Sequence, residues 1–475
     1  MPALEKVSVV ILSWNGRKHL EHCLPALREQ EEPGVPWEVL VLDNGSHDGT
    51  VEWLRREHPE VELIESKVNL GFCGGNNRLV DEANGDAVVL LNNDTRPRPD
   101  WLRHLVAAYR AADDDVAAIS GCIVDWEGER LDFARGAITF DGHAFQLGYR
   151  RPLDEVELPE AGTELPFACG GNMMIRRSSY LDAGGFDEDY FAYLEDVDLG
   201  WRLWSGGERV TFAPDAVVHH RSMATSAMLG NANRGFLFER NAFLTAYKNY
   251  DDEHLERLLP AILLTLTHRT QTLLVQNNPG GEQLTFDPYR GMIANTAAVI
   301  PVKEPKPESD GVEQDLVEEE SVEEDRVEPD STEASTQEVV APGPKSPTLL
   351  EKWRGYGPSD FFRRGVRKAM RLVTPAWLWD ERPAWETRVV DDRTVAQLRA
   401  VTQLLGNLDE ATEKRRAVQA RRKRSDREIL ERFPLYVVPT YPGDERLFQS
   451  AAFQAWLSSE VPVVEAALDE VMETQ

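Results

Sequence analysis

The run VSVVIL at residues 7–12 decides the fold. It is short, apolar apart from Ser8, and rich in β-branched side chains, the pattern of a strand buried on both faces. EVLVL at 38–42 and AVVLL at 87–91 repeat it. Between these runs Arg17–Gln30 and Thr50–His58 read as helices. Strands alternating with helices predict an α/β fold with a mostly parallel central sheet flanked by helices. Each strand ends in polar residues: Ser13-Trp14-Asn15, Asp43-Asn44-Gly45-Ser46 and Asn92-Asn93-Asp94. Ligands of open α/β sheets bind beyond the carboxyl ends of the strands. Three polar clusters are therefore expected to converge on one crevice.

The chain has 475 residues, 41% of them apolar, and a formal net charge of −30. That length calls for more than one region. The acidity argues against nucleic acid as a partner, because phosphate backbones need a basic face. Part of it is local: residues 301–340 hold fifteen Asp and Glu against three Lys and Arg, a net of −12. Residues 301–347, rich in Glu, Pro, Ser and Val and without aromatics, read as an acidic disordered linker. Cys23, Cys73, Cys122 and Cys169 form no C-x-x-C pair and read as reduced thiols of a cytosolic protein. The longest apolar stretch, Leu258–Val275, is interrupted by His268, Arg269 and Gln271, so no transmembrane helix is expected.

Asn92-Asn93-Asp94-Thr95 places a carboxylate and amide carbonyls at a strand end, a set that can hold a hard divalent cation. Alone such a cluster is more often a turn. Glu195-Asp196-Val197-Asp198 opens a stretch running into Gly200-Trp201-Arg202-Leu203, where acids also serve as ordinary partners of a helix N-terminus. His219-His220 follows Pro214-Asp215. Asn69-Leu70-Gly71-Phe72 and Gly74-Gly75-Asn76-Asn77 lack the G-x-G-x-x-G spacing of dinucleotide enzymes.

Seven segments in this order are VVILSWNG, VLDNGSHDGT, NLGFCGGNN, LLNNDT, ACGGNMMIRR, GGFDEDYFAYLEDVDLGWRL and APDAVVHHR. Over residues 5–250 they resemble the inverting family 2 nucleotide-sugar glycosyltransferases with a GT-A fold, a family that includes rhamnosyltransferases and galactofuranosyltransferases. The resemblance implies transfer of a sugar from a nucleoside diphosphate to a hydroxyl of a cell-surface polysaccharide or glycolipid precursor. It implies a divalent metal, Mg2+ or Mn2+, at Asp94 with His220 as a further ligand and His219 as the alternative. Asn92 stands where the family's metal motif has its first acid. Ser13, Trp14, Asn15 and Asp43 would hold the base; a carboxylate accepts from the N3–H of uracil or thymine, which favours UDP or dTDP sugars. Asn69, Gly71, Asn76 and Asn77, with Asn92 and Asn93, would follow the ribose and diphosphate. Glu195 and Asp196 match the motif of the general base, and the choice between them stays open. Gly171, Asn172, Asp198 and Trp201 would face the acceptor. A non-catalytic scaffold that keeps this fold is the alternative function.

The expected organisation is a GT-A domain over 1–250, a helical extension over 251–300, the linker, and a mainly helical region over 348–475. Within the last, Phe361–Val373 forms an amphipathic pattern with Arg363, Arg364, Arg367, Lys368 and Arg371 on its polar side. Trp377 and Trp379 follow. A basic helix flanked by aromatics suits peripheral contact of 360–379 with an anionic membrane, at the inner face of the plasma membrane. Lys414-Arg415-Arg416 and Arg421–Arg424 read as a solvated helix face.

Overall fold

The computed structural model describes residues 4–221, 230–281, 284, 389–457 and 459–471. Its N-terminal strands are β1 (Val7–Ser13), β2 (Trp37–Asn44), β3 (Glu62–Ser66) and β4 (Ala87–Leu91). They lie side by side in the order β3-β2-β1-β4, all parallel. Helices α1 (Arg17–Arg28), α2 (Thr50–Glu57) and α3 (Gly71–Glu82) make the crossovers. β4 is buried along its whole length, as a strand covered on both faces must be.

The α/β class expected from the sequence is present, and the sheet is mixed. After β5 (Thr95–Pro97), helix α4 (Trp101–Ala111) and β6 (Val116–Asp125), a small antiparallel excursion forms β7 (Leu131–Phe133), β8 (Gly136–Ile138) and β9 (Ala144–Gln146). The chain then re-enters as β10 (Asn172–Arg176), antiparallel to both β4 and β6. The reason is the point of entry: Gly171 lies against Asn92 at the carboxyl end of β4, so the strand must run the other way. Helix α5 (Arg177–Asp182) and helix α6 (Glu195–Ser205) lead to β11 (Arg209–His220), which is parallel to β6 and carries β5 on its other edge. The register of β11 on β6 jumps between Ala213 and Val217, around Pro214 and Asp215. Such a bulge re-aims the residues after it, here His219 and His220.

Two long helices follow, α7 (Asn231–Asn249) and α8 (Asp252–Asn277), then α9 (Asp392–Gly406), α10 (Leu408–Arg421), α11 (Asp426–Leu430), β12 (Leu435–Val437) and α12 (Asp444–Phe448). The described residues belong to one compact unit. The acidic linker and the amphipathic pattern at 360–379 lie outside the described residues.

The basic cluster of the C-terminal region is docked in part: Arg415, Arg422 and Arg424 turn inward, while Arg416, Arg421 and Lys423 are exposed. Arg415 donates to the carbonyls of Tyr247 and Tyr250 at 2.6 and 2.5 Å. Arg422 bonds the Asn249 carbonyl, and Arg424 that of Trp204 at 2.9 Å. These carbonyls sit at or beyond the carboxyl ends of α7 and α6, where helices leave acceptors unpaired and favour positive charge. A fully buried carboxylate, Asp444, and Asp141 bracket Arg269 at 2.9 and 2.8 Å. The four cysteines are free. Among the described residues no helix is long and apolar enough to cross a membrane.

Candidate active site

The polar ends of β1, β2 and β4 meet. Asn15 takes a left-handed backbone, φ 48°, donates its amide to Ser46 Oγ at 2.8 Å, and accepts from the His47 amide. Asp43 Oδ2 accepts from the Ser46 amide at 3.0 Å. Its other oxygen, Oδ1, is buried with no protein partner. A buried carboxylate oxygen left open is costly unless something else donates to it. Trp14 beside them is half-buried. Asn93 donates to Ser13 Oγ at 3.2 Å, joining the end of β4 to β1. A side chain at Gly16 would strike that same amide at 2.3 Å, so the turn into α1 closes only with glycine.

Asp94 and His220 come together, Oδ1 to Nε2 at 3.3 Å, although 126 positions separate them. The other imidazole nitrogen lies 2.8 Å from Asp132 Oδ2 on β7. Burial pulls the imidazole pKa down, but its hydrogen bonds to Asp132 and Asp94 outweigh that and raise it to about 10. A carboxylate beside an imidazole, with a second carboxylate orienting the far nitrogen, is a donor set that suits Mn2+ or Mg2+. Sequence reading missed Asp132; its signal was an acid inside the apolar triplet Leu131-Asp132-Phe133, where burial demands a partner. His219, the alternative ligand, turns to the Trp126 carbonyl at 3.2 Å.

Gly171 and Gly170 bridge to the acids of α6. The Asn92 amide donates to the Gly171 carbonyl at 3.2 Å, and the Gly170 amide to Asp196 Oδ2 at 3.1 Å. Asp196 also accepts from Val197 N at 2.9 Å and keeps partial exposure. Glu195 is buried, and its Oε2 has no protein partner. Burial pushes both carboxyls upward; Asp196 adds to the shift of Glu195, while the Gly170 and Val197 amides oppose that of Asp196.

The loop that presents these acids is strained. Phe191, Tyr193 and Leu194 all have positive φ, 61°, 72° and 64°, unfavourable for residues with side chains. Asn241 of α7, fully buried, holds this loop with Nδ2 at 3.1, 2.9 and 2.8 Å from the carbonyls of Tyr190, Ala192 and Tyr193. Arg240 bonds the Asp189 and Tyr190 carbonyls and reaches Gln403 of α9 at 2.9 Å. The Phe191 carbonyl in turn accepts from Phe72 N and Cys73 N at the start of α3. A Cβ at Gly71, whose φ is +76°, would meet that carbonyl at 2.8 Å.

Several expected site residues make framework bonds. Asn69 accepts from Asn44 Nδ2 and Gly71 N, shaping the entry to α3. Asn76 is buried and donates to the Phe72 carbonyl one turn back. Asn77 accepts from Tyr180 Oη at 2.6 Å and donates to the Phe186 carbonyl. Asn172, placed with the acceptor residues, is fully buried with its amide bonded to Trp101, Cys122 and Ala216. Asp198 is likewise buried, between Arg202 and Lys248, which hold its carboxyl below its usual value against the pull of burial. Trp201 packs on Tyr250 and donates to Asp426 Oδ1 at 3.2 Å. These three therefore do not line the crevice: each answers a demand of the interior. A second acid–histidine group, Asp251, His254 and Asp426, is a reciprocal pair of helix caps neutralised by Arg422.

Residues 8–183 match the model of glycosyl transferase family 2. An N-acetylglucosaminyl-diphospho-decaprenol L-rhamnosyltransferase of Mycobacterium tuberculosis is 32% identical over 239 residues, 46% of this chain and 76% of its own length. The glycosyltransferase AglE of Haloferax volcanii is 26% identical over 219 residues, 45% of this chain and 66% of its own. Among solved structures, a mannosyltransferase of Pyrobaculum calidifontis in complex with GDP-Man and Mn2+ overlaps 63% of this chain and 81% of its own, at 20% identity and a TM-score of 0.39.

Proposed function

Because the chain belongs to glycosyl transferase family 2 and is a glycosyltransferase, we propose that its crevice uses a nucleoside diphosphate sugar, UDP- or dTDP-linked, and transfers the sugar with inversion. The acceptor is a hydroxyl of a polysaccharide or lipid-linked precursor, presented at the inner face of the plasma membrane. The rhamnosyltransferase relative, named for a diphospho-decaprenol acceptor, supports the lipid-linked class.

The observation that carries this reading is the pairing of Asp94 with His220 beside a buried Asp43 oxygen that lacks a partner. Asp43 Oδ1 would accept from the N3–H of uracil or thymine, while Asn15 and Ser46 fix the carboxylate's other side. Asp94 and His220 would hold Mg2+ or Mn2+, which when bound supplies Lewis-acid stabilisation of the departing diphosphate. Asp132 holds the His220 ring so that Nε2 faces Asp94.

Asp196 is the general base in this reading. It keeps partial exposure, and the Gly170 amide ties it to the glycine pair that touches Asn92. Glu195, buried behind it, raises the proton affinity of the pair, since adjacent carboxylates resist a second charge. The acceptor hydroxyl gives its proton to Asp196 as its oxygen attacks the anomeric carbon from the face opposite the leaving diphosphate.

The test is a panel of UDP, dTDP and GDP sugars read by thermal shift with and without Mn2+, followed by turnover. Metal-dependent stabilisation by a UDP or dTDP sugar, lost in Asp94→Ala, is the expected result. A response to GDP sugars alone would overturn the role of Asp43. No response to any sugar with either metal would overturn the reading.

A further inference from the structure

At the ends of β6 and β11, beside β5, lies a group of cations that the proposed donor site does not use. Trp126 stands just past the end of β6 and is half-buried. The Arg221 guanidinium lies 4.0 Å from its ring centroid and that of Arg96 4.7 Å. Arg96 also donates to the Trp126 carbonyl at 3.1 Å, and His22 meets the ring edge-on at 5.5 Å. The guanidinium carbons of Arg96 and Arg221 thus lie within the sum of those distances, 8.7 Å, of each other. Among the described residues neither is paired with a carboxylate. The acids flanking Trp126 in sequence are Asp125, whose Oδ1 accepts from Glu129 N and Arg130 N, and the exposed Glu127; Asp94, two positions before Arg96, faces His220.

The surroundings add to the positive field. Arg96 and Arg98 both act on His219, and Lys18 and Arg221 both act on His19. This is a concentration of positive charge on a chain of net charge −30. Two guanidiniums packed on one indole, neither balanced by a carboxylate, favour a bound anion that contacts them. Planar guanidinium forks are suited to phosphate oxygens. The patch also has a fixed relation to the reaction centre. Arg221 follows His220 and donates its amide to the Asp94 carbonyl at 3.0 Å, while Arg96 is register partner to His219.

We propose that Arg96, Arg221 and Trp126 form a second phosphate subsite, which takes the diphosphate of a lipid-linked acceptor. This rests on the glycosyltransferase reading above and adds the acceptor class. The donor's base and ribose are assigned to the β1–β2 side of Asp94, whereas this patch lies at the ends of β5, β6 and β11. In a glycosyl diphosphate lipid only one sugar separates the reacting hydroxyl from the phosphates. Their site must therefore adjoin the reaction centre, as this patch does. The indole holds the two guanidiniums in place, and they take the charge of the phosphates.

The experiment uses the full chain and three probes: farnesyl-diphospho-N-acetylglucosamine, octyl N-acetylglucosaminide, and UDP. Binding is measured by calorimetry in EDTA for the two acceptor analogues and with Mn2+ for UDP. Turnover is followed with whichever donor the panel selects. The wild type should bind the diphosphate probe without metal, and Arg96→Gln and Trp126→Leu should each weaken it about tenfold, the scale of one lost charge-assisted contact. Binding of the octyl glycoside and of UDP should be unchanged in Arg96→Gln. Weakened UDP with an unaffected diphosphate lipid would assign the patch to the donor and overturn the proposal. Equal binding of the two acceptor analogues by the wild type would overturn it as well. A wild type inert toward every nucleotide sugar that still binds the diphosphate lipid in this way would sink the donor reading while leaving the subsite standing.

Discussion

Asn241 donates from Nδ2 to the Tyr193 carbonyl at 2.8 Å, two residues before Glu195. The same amide nitrogen serves two further carbonyls of that loop, so one side chain of α7 fixes a turn containing three residues of unfavourable φ. Asn241 is a positioning residue in this view: it touches no reacting atom but sets where the acids stand. Asn241→Ala should lower kcat about a hundredfold, the cost of misplacing a reacting group by an ångström, and leave the donor KM within about twofold. Losing this buried donor should cost about 1–3 kcal/mol of stability, read by urea denaturation. A rise in donor KM with kcat preserved would place Asn241 in substrate binding instead.

Asp132 orients His220 from behind. Asp132→Asn should weaken Mn2+ binding about 10–100-fold, the usual effect of losing a carboxylate behind a histidine ligand. Free Mn2+ counted by its paramagnetic resonance signal reads this without turnover. Affinity equal to wild type would remove Asp132 from the centre.

The raised pKa values of Glu195 and Asp196 predict where activity fails. A base works only after losing its proton, so kcat/KM should fall as pH drops through the raised value. That acid limb should lie above the ordinary carboxylate range. It should vanish in Asp196→Asn along with most of the rate; a residual activity that keeps the limb would move the role to Glu195. Stability carries the opposite sign. A carboxyl whose folded pKa exceeds its unfolded one stabilises fully below the unfolded value, and the contribution is lost as pH rises through the folded one. Glu195→Gln should therefore gain stability relative to wild type with rising pH, measured by thermal unfolding across a pH series.

Arg269 holds Asp444 and Asp141 in the interior, all three almost fully buried. Arg269→Met leaves Asp444 buried without its counter-ion, while Asp141 keeps His143 at 3.3 Å, and should cost about 3–5 kcal/mol. Urea unfolding checks it; a loss below about 1 kcal/mol would mean the network is solvated.

Much of this was legible in the chain because period and punctuation carried it. VSVVIL, EVLVL and AVVLL announced buried strands, and the polar residues closing them marked one end of a sheet. Asp94 and His220 were readable as a pair only through the order of seven segments, since no local pattern connects positions so distant. The reversal of β10 was not readable: it depends on which end of the sheet the 126–171 excursion returns to. Nor was the fate of Asn172, Asp198 and Trp201, because a polar residue near a motif looks alike whether it faces a ligand or answers a buried carbonyl. Arg415, Arg422 and Arg424 misled for a related reason. Their charge suggested water, but their partners are helix-end carbonyls that come close only in three dimensions.

The docking of the C-terminal region has a consequence for how the molecule is made. Arg151 donates to the carbonyls of Asp469 and Glu470, 318 and 319 positions later, and Arg432 pairs with Glu164 across 268. Closing such long loops is slow. On the ribosome the sheet and its catalytic acids emerge early, while the segment that covers α7 and α8 is still unsynthesised. The nascent chain must therefore wait with α7 uncovered until α9 and α10 have emerged, the interval in which a chaperone has most to shield.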